Sequence, residues 1–227
     1  MKRFVLPAIA VCAFGTVANA DVLWDQSNFD AGINALVDQE FGDFPTYSSY
    51  MVMDVMTDAG GWMLDSVTTY YTFGSGFWSN AINTGRLSIF EKTGGLPGAG
   101  DDPSASASVP VTLTLAGDHW EVTASGLGMM LDGNKEYWIG LTPIADFGVY
   151  GQEFHLAAPI VGVDTAWRNP GGSFGFGDQW QNVAGIDSGG MWVGNYDAAF
   201  LLEGYVVPAP GALALLGLAG LVGRRRR

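Results

Sequence analysis

The chain has 227 residues, with 10 basic against 23 acidic and a formal net charge of −13. All 23 acids but only four bases, Arg86, Lys92, Lys135 and Arg168, lie between residues 21 and 205, so that stretch carries −19. A surface of that sign repels phosphate backbones and excludes nucleic acid as a partner, and a lone cysteine, Cys12, excludes a disulfide framework.

The first segment, MKRFVLPAIAVCAFGTVANA (residues 1–20), begins basic at Lys2 and Arg3 and turns apolar from Phe4 to Phe14. It ends with small residues at Ala18 and Ala20, the positions a signal peptidase reads. The pattern predicts a secretory signal cleaved between Ala20 and Asp21, which removes Cys12 from the mature chain.

Residues 21–205 read as one domain rich in strands. FDAGINALVDQEF (29–41) has a helical spacing through Ile33, Leu36 and Val37, and its type stays open. SSYMVMDVM alternates around Met51, Met53 and Val55. GWMLDSVTTYYTF is rich in Val, Thr and Tyr, which favour strand, although neither parity is cleanly apolar. GRLSIFEK alternates Leu87 and Ile89 with Arg86 and Ser88. TGGLPGAGDDPSASAS is a long Gly, Pro and Ser loop. VPVTLTL reads as one half-buried strand with Val109, Val111, Leu113 and Leu115 on one face and Pro110 near its start or edge. HWEVTAS and KEYWIGLT continue the theme. Asp132-Gly133 between them predicts a hairpin turn. NPGGSFGFGD is a glycine-rich loop, and DAAFLLEGYV is a last strand. After about Pro143 the pattern is irregular and its topology is not legible. Many short strands separated by turns predict an all-β fold, an antiparallel β-sandwich of jelly-roll-like form.

The chain closes on VVPAPGALALLGLAGLVGRRRR (206–227). Residues 206–223 carry no charge, a marginal length for a membrane helix, which needs roughly 17–25 residues. Pro208 and Pro210 sit at its outer edge, where they break no interior helical bond. Arg224, Arg225, Arg226 and Arg227 form a positive stop-transfer cluster that stays in the cytoplasm. With a signal peptide in front, this orientation leaves the domain outside, on a precursor anchored in the inner membrane.

Val207-Pro208-Ala209-Pro210, followed by a short Leu/Ala/Gly helix and terminal arginines, resembles the PEP-CTERM sorting signal. The likeness is confined to this tail, and Ala209 stands where the family usually has Glu. It implies recognition by an exosortase, a membrane transpeptidase acting near the Pro-x-Pro motif, with the protein as substrate and the tail as a transient anchor. It also implies delivery to the cell surface or matrix, in company with exopolysaccharide. EYWIGLTP and TAWRNPGG, with DDP, are similar to secreted β-sandwich domains found before such tails, which implies fold and no activity.

The domain offers little chemistry. It has no Gly-x-Ser-x-Gly elbow, and His119 and His155 lie far apart without local partners, so no enzyme and no zinc-type metal site is expected. Calcium stays open without an assigned site. Asp101-Asp102 and Asp132-Gly133-Asn134 with Glu136 are the acidic clusters, and neither matches a twelve-residue calcium loop. Of eight tryptophans, Trp78, Trp167 and Trp180 sit in polar, loop-like contexts and are the candidate platforms for sugar rings. The reading is therefore a non-catalytic extracellular matrix module with a polysaccharide partner. A structural or adhesive coat protein and a cryptic glycoside hydrolase are the alternatives; the latter needs only two suitably spaced carboxylates.

Overall fold

The computed structural model describes residues 20–29, 34–73, 78, 82–159, 164–183, 186 and 196–209. The signal segment before Ala20, with Ala18, therefore lies outside the described residues, as do Pro210, the apolar run after it and Arg224 to Arg227. Among the described residues, no helix is long and apolar enough to cross a membrane.

The chain is all-β. In order it forms β1 (Asp21–Asp25), β2 (Asn34–Val37), β3 (Tyr50–Met56), β4 (Trp62–Thr72), β5 (Thr84–Glu91), β6 (Ala107–Pro110), β7 (Thr112–Ala116), β8 (His119–Ala124), β9 (Met129–Leu131) and β10 (Glu136–Pro143). A single helical turn, α1 (Phe147–Tyr150), precedes β11 (Phe154–Pro159), β12 (Thr165–Arg168), β13 (Gln181–Asn182), β14 (Tyr196–Ala198) and β15 (Phe200–Val206). Two antiparallel sheets result, consistent with a β-sandwich. One has nine strands along the path β1-β15-β4-β11-β14, with β2, β7, β8 and β9 attached; the other has six in the order β13-β12-β3-β10-β5-β6.

β4 explains its own odd composition. It is flanked by β15 on one edge and by β8 and β9 on the other. Both of its faces are largely buried, so no polar face is required. The main core lies between the sheets and includes Met51, Met53, Leu64, Tyr71, Ile139, Leu141 and Leu202. The outer face of the six-stranded sheet is covered too, where Tyr50, Val52, Trp138, Ala166 and Trp180 cluster.

One open segment is resolved and two expectations are corrected. Leu36 and Val37 belong to strand β2, which pairs with β11 and buries both residues. VPVTLTL is not one strand: it breaks at Val111, leaving β6 on the six-stranded sheet and β7 on the nine-stranded one. Pro110 is tolerated because β6 is an edge strand paired only with β5. Asp132-Gly133 does not close a hairpin, because β9 pairs with β4 and β10 pairs with β3 and β5. The turn carries the chain from one sheet to the other, with Asn134 at φ 54°.

The sandwich has two distinct poles. β3 and β10 run antiparallel, with Glu136 opposite Met56. The 57–61 and 132–135 turns therefore share one pole, and the segments after Pro143 and before Tyr50 share the other. Seven residues of β3 separate the poles by about 20 Å.

Candidate functional site

At the pole beyond Tyr50 and Pro143, Phe41, Phe44, Tyr47, Phe147, Gln152 and Phe174 line a groove of about 260 Å³. Three chain segments contribute these side chains, and each is held by polar groups beneath it. Phe44, Tyr47 and Phe147 are 48%, 44% and 47% exposed, so their rings remain available at the surface. Phe147 meets Phe44 at 5.9 Å and 84°, and Phe41 at 6.1 Å and 79°. Tyr47 meets Phe174 at 5.4 Å and 82°. These edge-to-face contacts are the preferred geometry for ring quadrupoles and fix the rings against one another.

Two buried amides brace the walls. Gln39 donates from Nε2 to the carbonyls of Ala145 (2.9 Å) and Gly151 (3.0 Å), while its Oε1 accepts from the Glu153 N–H (3.3 Å). It thereby brackets α1 and Gln152. Asn169 donates from Nδ2 to the carbonyls of Thr46 (2.9 Å) and Ser48 (2.8 Å), and its Oδ1 accepts from the Phe174 N–H (3.2 Å). Gly171 packs so tightly on this wall that a Cβ there would lie 2.2 Å from the Thr46 carbonyl oxygen, so only glycine fits. Asp43 joins the walls by accepting from the N–H groups of Phe147 (2.9 Å) and Gly148 (2.7 Å). Partial desolvation pulls the Asp43 carboxyl up, but the N–H groups of Gly148 and Phe147, with those of its own loop, outweigh it and hold it below its ordinary value.

The three candidate tryptophans are not platforms. Trp78, Trp167 and Trp180 are only 2%, 1% and 6% exposed. Trp78 packs on Tyr71 in the main core, 5.1 Å between centroids. Trp180 donates its Nε1–H to the Asp101 carbonyl (2.8 Å). Trp167 donates to the Val37 carbonyl (2.7 Å) and stands behind Phe174, 5.9 Å away. Asp178 and Gln179 beside Trp180 are exposed, but Thr165 and Asn169 beside Trp167 are buried and hydrogen-bonded, so polar neighbours do not mark an exposed ring. Sequence reasoning thus named the support of one groove ring and missed the groove. The visible signal was aromatic residues inside turn-rich stretches, FGDFPTY, DFGVYGQ and GGSFGFG, which single-strand patterning does not register.

The histidines are not brought together. His119 lies opposite Thr72 and His155 opposite Tyr71 of β4, successive residues that project to opposite faces. His155 is buried with Nδ1 2.9 Å from Asp38 Oδ2 and Nε2 2.8 Å from the Ala199 carbonyl. A carbonyl only accepts, so Nε2 carries a proton. Asp38 also accepts from Met51 N (3.1 Å), Thr142 Oγ1 (2.5 Å) and Tyr71 Oη (2.8 Å). Burial, then the Asp38 charge, raises the Tyr71 hydroxyl well above its ordinary pKa. This network ties the Asp38 segment to β3, β4, β10 and β11 inside the core, and His155 extends it to Ala199. The acidic clusters are engaged locally. Asp101 accepts from Gly98 N, Asp102 caps Ser104, and Asp132 lies 3.2 Å from Lys135 Nζ. Among the described residues, no group of three or more metal-ligating side chains converges.

The opposite pole holds the start of β1 and the end of β15. Asp21 pairs with Gly204, so the start of β1 lies beside the exit of β15. The segment after β15 begins against the fold: Val207 donates its N–H to the Gly61 carbonyl (2.9 Å). A Cβ on Gly60 would lie 1.7 Å from the Val207 carbonyl oxygen and 2.8 Å from Ala209 N. Pro208 follows in the same contact region; Pro210 is outside the described residues.

Fold and site together define an all-β protein with an aromatic groove at one pole and its tail at the other. No family model matches the chain, and no curated protein matches it either.

Proposed function

We propose that this is an exported, non-catalytic module of the cell surface or extracellular matrix, which binds polysaccharide through the aromatic groove. The reading takes the two-sheet fold as jelly-roll-like, and takes the tail as a substrate for an exosortase-like transpeptidase after signal peptidase has acted. One observation carries it: exposed rings of Phe44, Tyr47 and Phe147 line a groove about 20 Å of strand away from Val207, where the chain leaves the domain. A domain anchored by that tail presents the groove outward, toward extracellular polymer, and flat ring faces suit the apolar C–H face of a sugar. The partner surface is therefore assigned to Phe44, Tyr47 and Phe147 in place of Trp78, Trp167 and Trp180.

Affinity electrophoresis of the mature chain through gels containing the producing cell's own exopolysaccharide tests the binding. Retardation is expected, and Phe44→Ala with Phe147→Ala abolishes it; equal mobility with and without polymer refutes it. The sorting step has a separate test. Pro208→Ala with Pro210→Ala is expected to leave unprocessed precursor in the membrane, and normal release would contradict it.

A further inference from the structure

The groove's lining is unusual for a site that holds only sugar hydroxyls. A pyranose brings several hydroxyls, each needing a partner once water is displaced. The lining supplies five aromatic rings, one of them with the Tyr47 hydroxyl, and one amide, Gln152. The rings stand at 79–84° to one another around the concavity, so their planes differ in direction, and a ring face attracts a cation.

The surrounding charge agrees. Asp43 and Asp146 belong to the two loops that carry Phe44 and Phe147. Asp43 is held by backbone N–H groups, and Asp146 makes no cap bond to α1. All four cations of residues 21–205 are engaged elsewhere. Arg86 pairs with Glu40, Lys92 with Asp54 and Lys135 with Glu91, and Arg168 donates to the Asp178 and Asp101 carbonyls. Among the described residues, none of these cations pairs with Asp43 or Asp146. A primary ammonium would need acceptors on three sides, and the lining offers the Tyr47 hydroxyl and the Gln152 amide oxygen among five ring surfaces. A quaternary ammonium group needs none and gains from ring faces and carboxylates together.

Resting on the groove as the binding face of the proposed function, we propose that its specific ligand is a quaternary ammonium substituent carried by an extracellular polymer. The polar arrangement of the domain favours polymer over lipid as the source, because the groove faces away from the pole where the tail leaves.

The test uses the full chain in a polyoxyethylene detergent, which offers neither sugar nor ammonium. Calorimetry compares choline with 3,3-dimethylbutan-1-ol, its neutral isostere. Choline is expected to bind about tenfold more tightly, a difference of the size that cation–π and carboxylate attraction supply together. Phe147→Leu and, independently, Phe44→Leu should each weaken choline about tenfold with an unchanged circular dichroism spectrum, and Asp146→Asn should weaken it a few-fold. Equal affinity for choline and its isostere, or no choline binding, overturns the inference. Gel retardation then compares plain dextran with trimethylammonium-substituted dextran. Retardation by the substituted polymer that Phe147→Leu removes supports the inference, since that variant keeps the net charge. Groove-dependent retardation by plain dextran without choline binding leaves the polysaccharide reading standing and this inference refuted. Groove-dependent binding to phosphatidylcholine vesicles in preference to the substituted polymer overturns the assigned source.

Discussion

Asn169→Ala is the most informative single change outside the groove surface. The amide makes three bonds, to the Thr46 and Ser48 carbonyls and from the Phe174 N–H. A net hydrogen bond contributes about 1 kcal/mol, so the loss is about 3 kcal/mol before relaxation. Ser48 is buried, so its carbonyl does not regain water, and Gly171 packs over the Thr46 carbonyl. The balance stays near 3 kcal/mol, a large share of the roughly 5–15 kcal/mol that stabilises a typical domain. At about 2–4 °C per kcal/mol for a domain of this size, thermal unfolding should shift down by about 6–12 °C. Asn169→Asp should cost more than alanine, because it aims a carboxylate at two carbonyl oxygens. The assays are thermal unfolding by circular dichroism and amide exchange at Phe174, whose N–H loses the Asn169 Oδ1 acceptor. A loss below about 1 kcal/mol, or unchanged protection at Phe174, would show that Asn169 does not brace the groove.

Two further outcomes follow from the same geometry. The Asp43 carboxyl sits below its ordinary 3.8, so its contribution is present above that value and is lost as pH falls through the depressed one. The Phe147 and Gly148 amide resonances should therefore titrate together below pH 3.8 and cease to do so in Asp43→Asn; a midpoint at or above 3.8 contradicts the assignment. At the other pole, Gly60→Ala forces the tail off the turn, since its Cβ would overlap the Val207 carbonyl. Limited proteolysis between Val206 and Ala209 should accelerate several-fold while β15 stays protected, and an unchanged cleavage rate would mean that the tail is not docked there.

Much of the strand content was legible because side-chain parity and β-branched composition are local properties. Tyr50–Met56, Trp62–Thr72 and Glu136–Pro143 all lie in segments that read as strands. What parity cannot report is which sheet a strand joins. VPVTLTL has unbroken alternation, yet it divides at Val111 because β6 and β7 find partners in different sheets. The Asp132-Gly133 signal marked a turn correctly, but the destination of the turn depended on β10 pairing with β3 and β5, strands distant in sequence.

The candidate site was less legible for the same reason. Tryptophans in polar stretches read as exposed, but packing buried Trp78 and Trp167 in the main core and Trp180 on the outer face of the six-stranded sheet, each removing a large apolar area from water. Gln39 and Asn169 look like any surface amides in the sequence, and only the convergence of backbone groups from Ala145 to Glu153 and from Thr46 to Phe174 makes them braces.

By itself the sequence determined the acidity of the domain, its strand-rich character, and the marked ends that predict export and sorting. These rest on charge, local periodicity and contiguous apolar runs, which need no partner to be read. The tertiary structure alone decided the two sheets, the opposition of groove and tail, and which rings face solvent. Those depend on contacts between residues a hundred or more positions apart, such as Phe147 with Asp43 and Asn169 with Thr46, and no local pattern encodes such contacts.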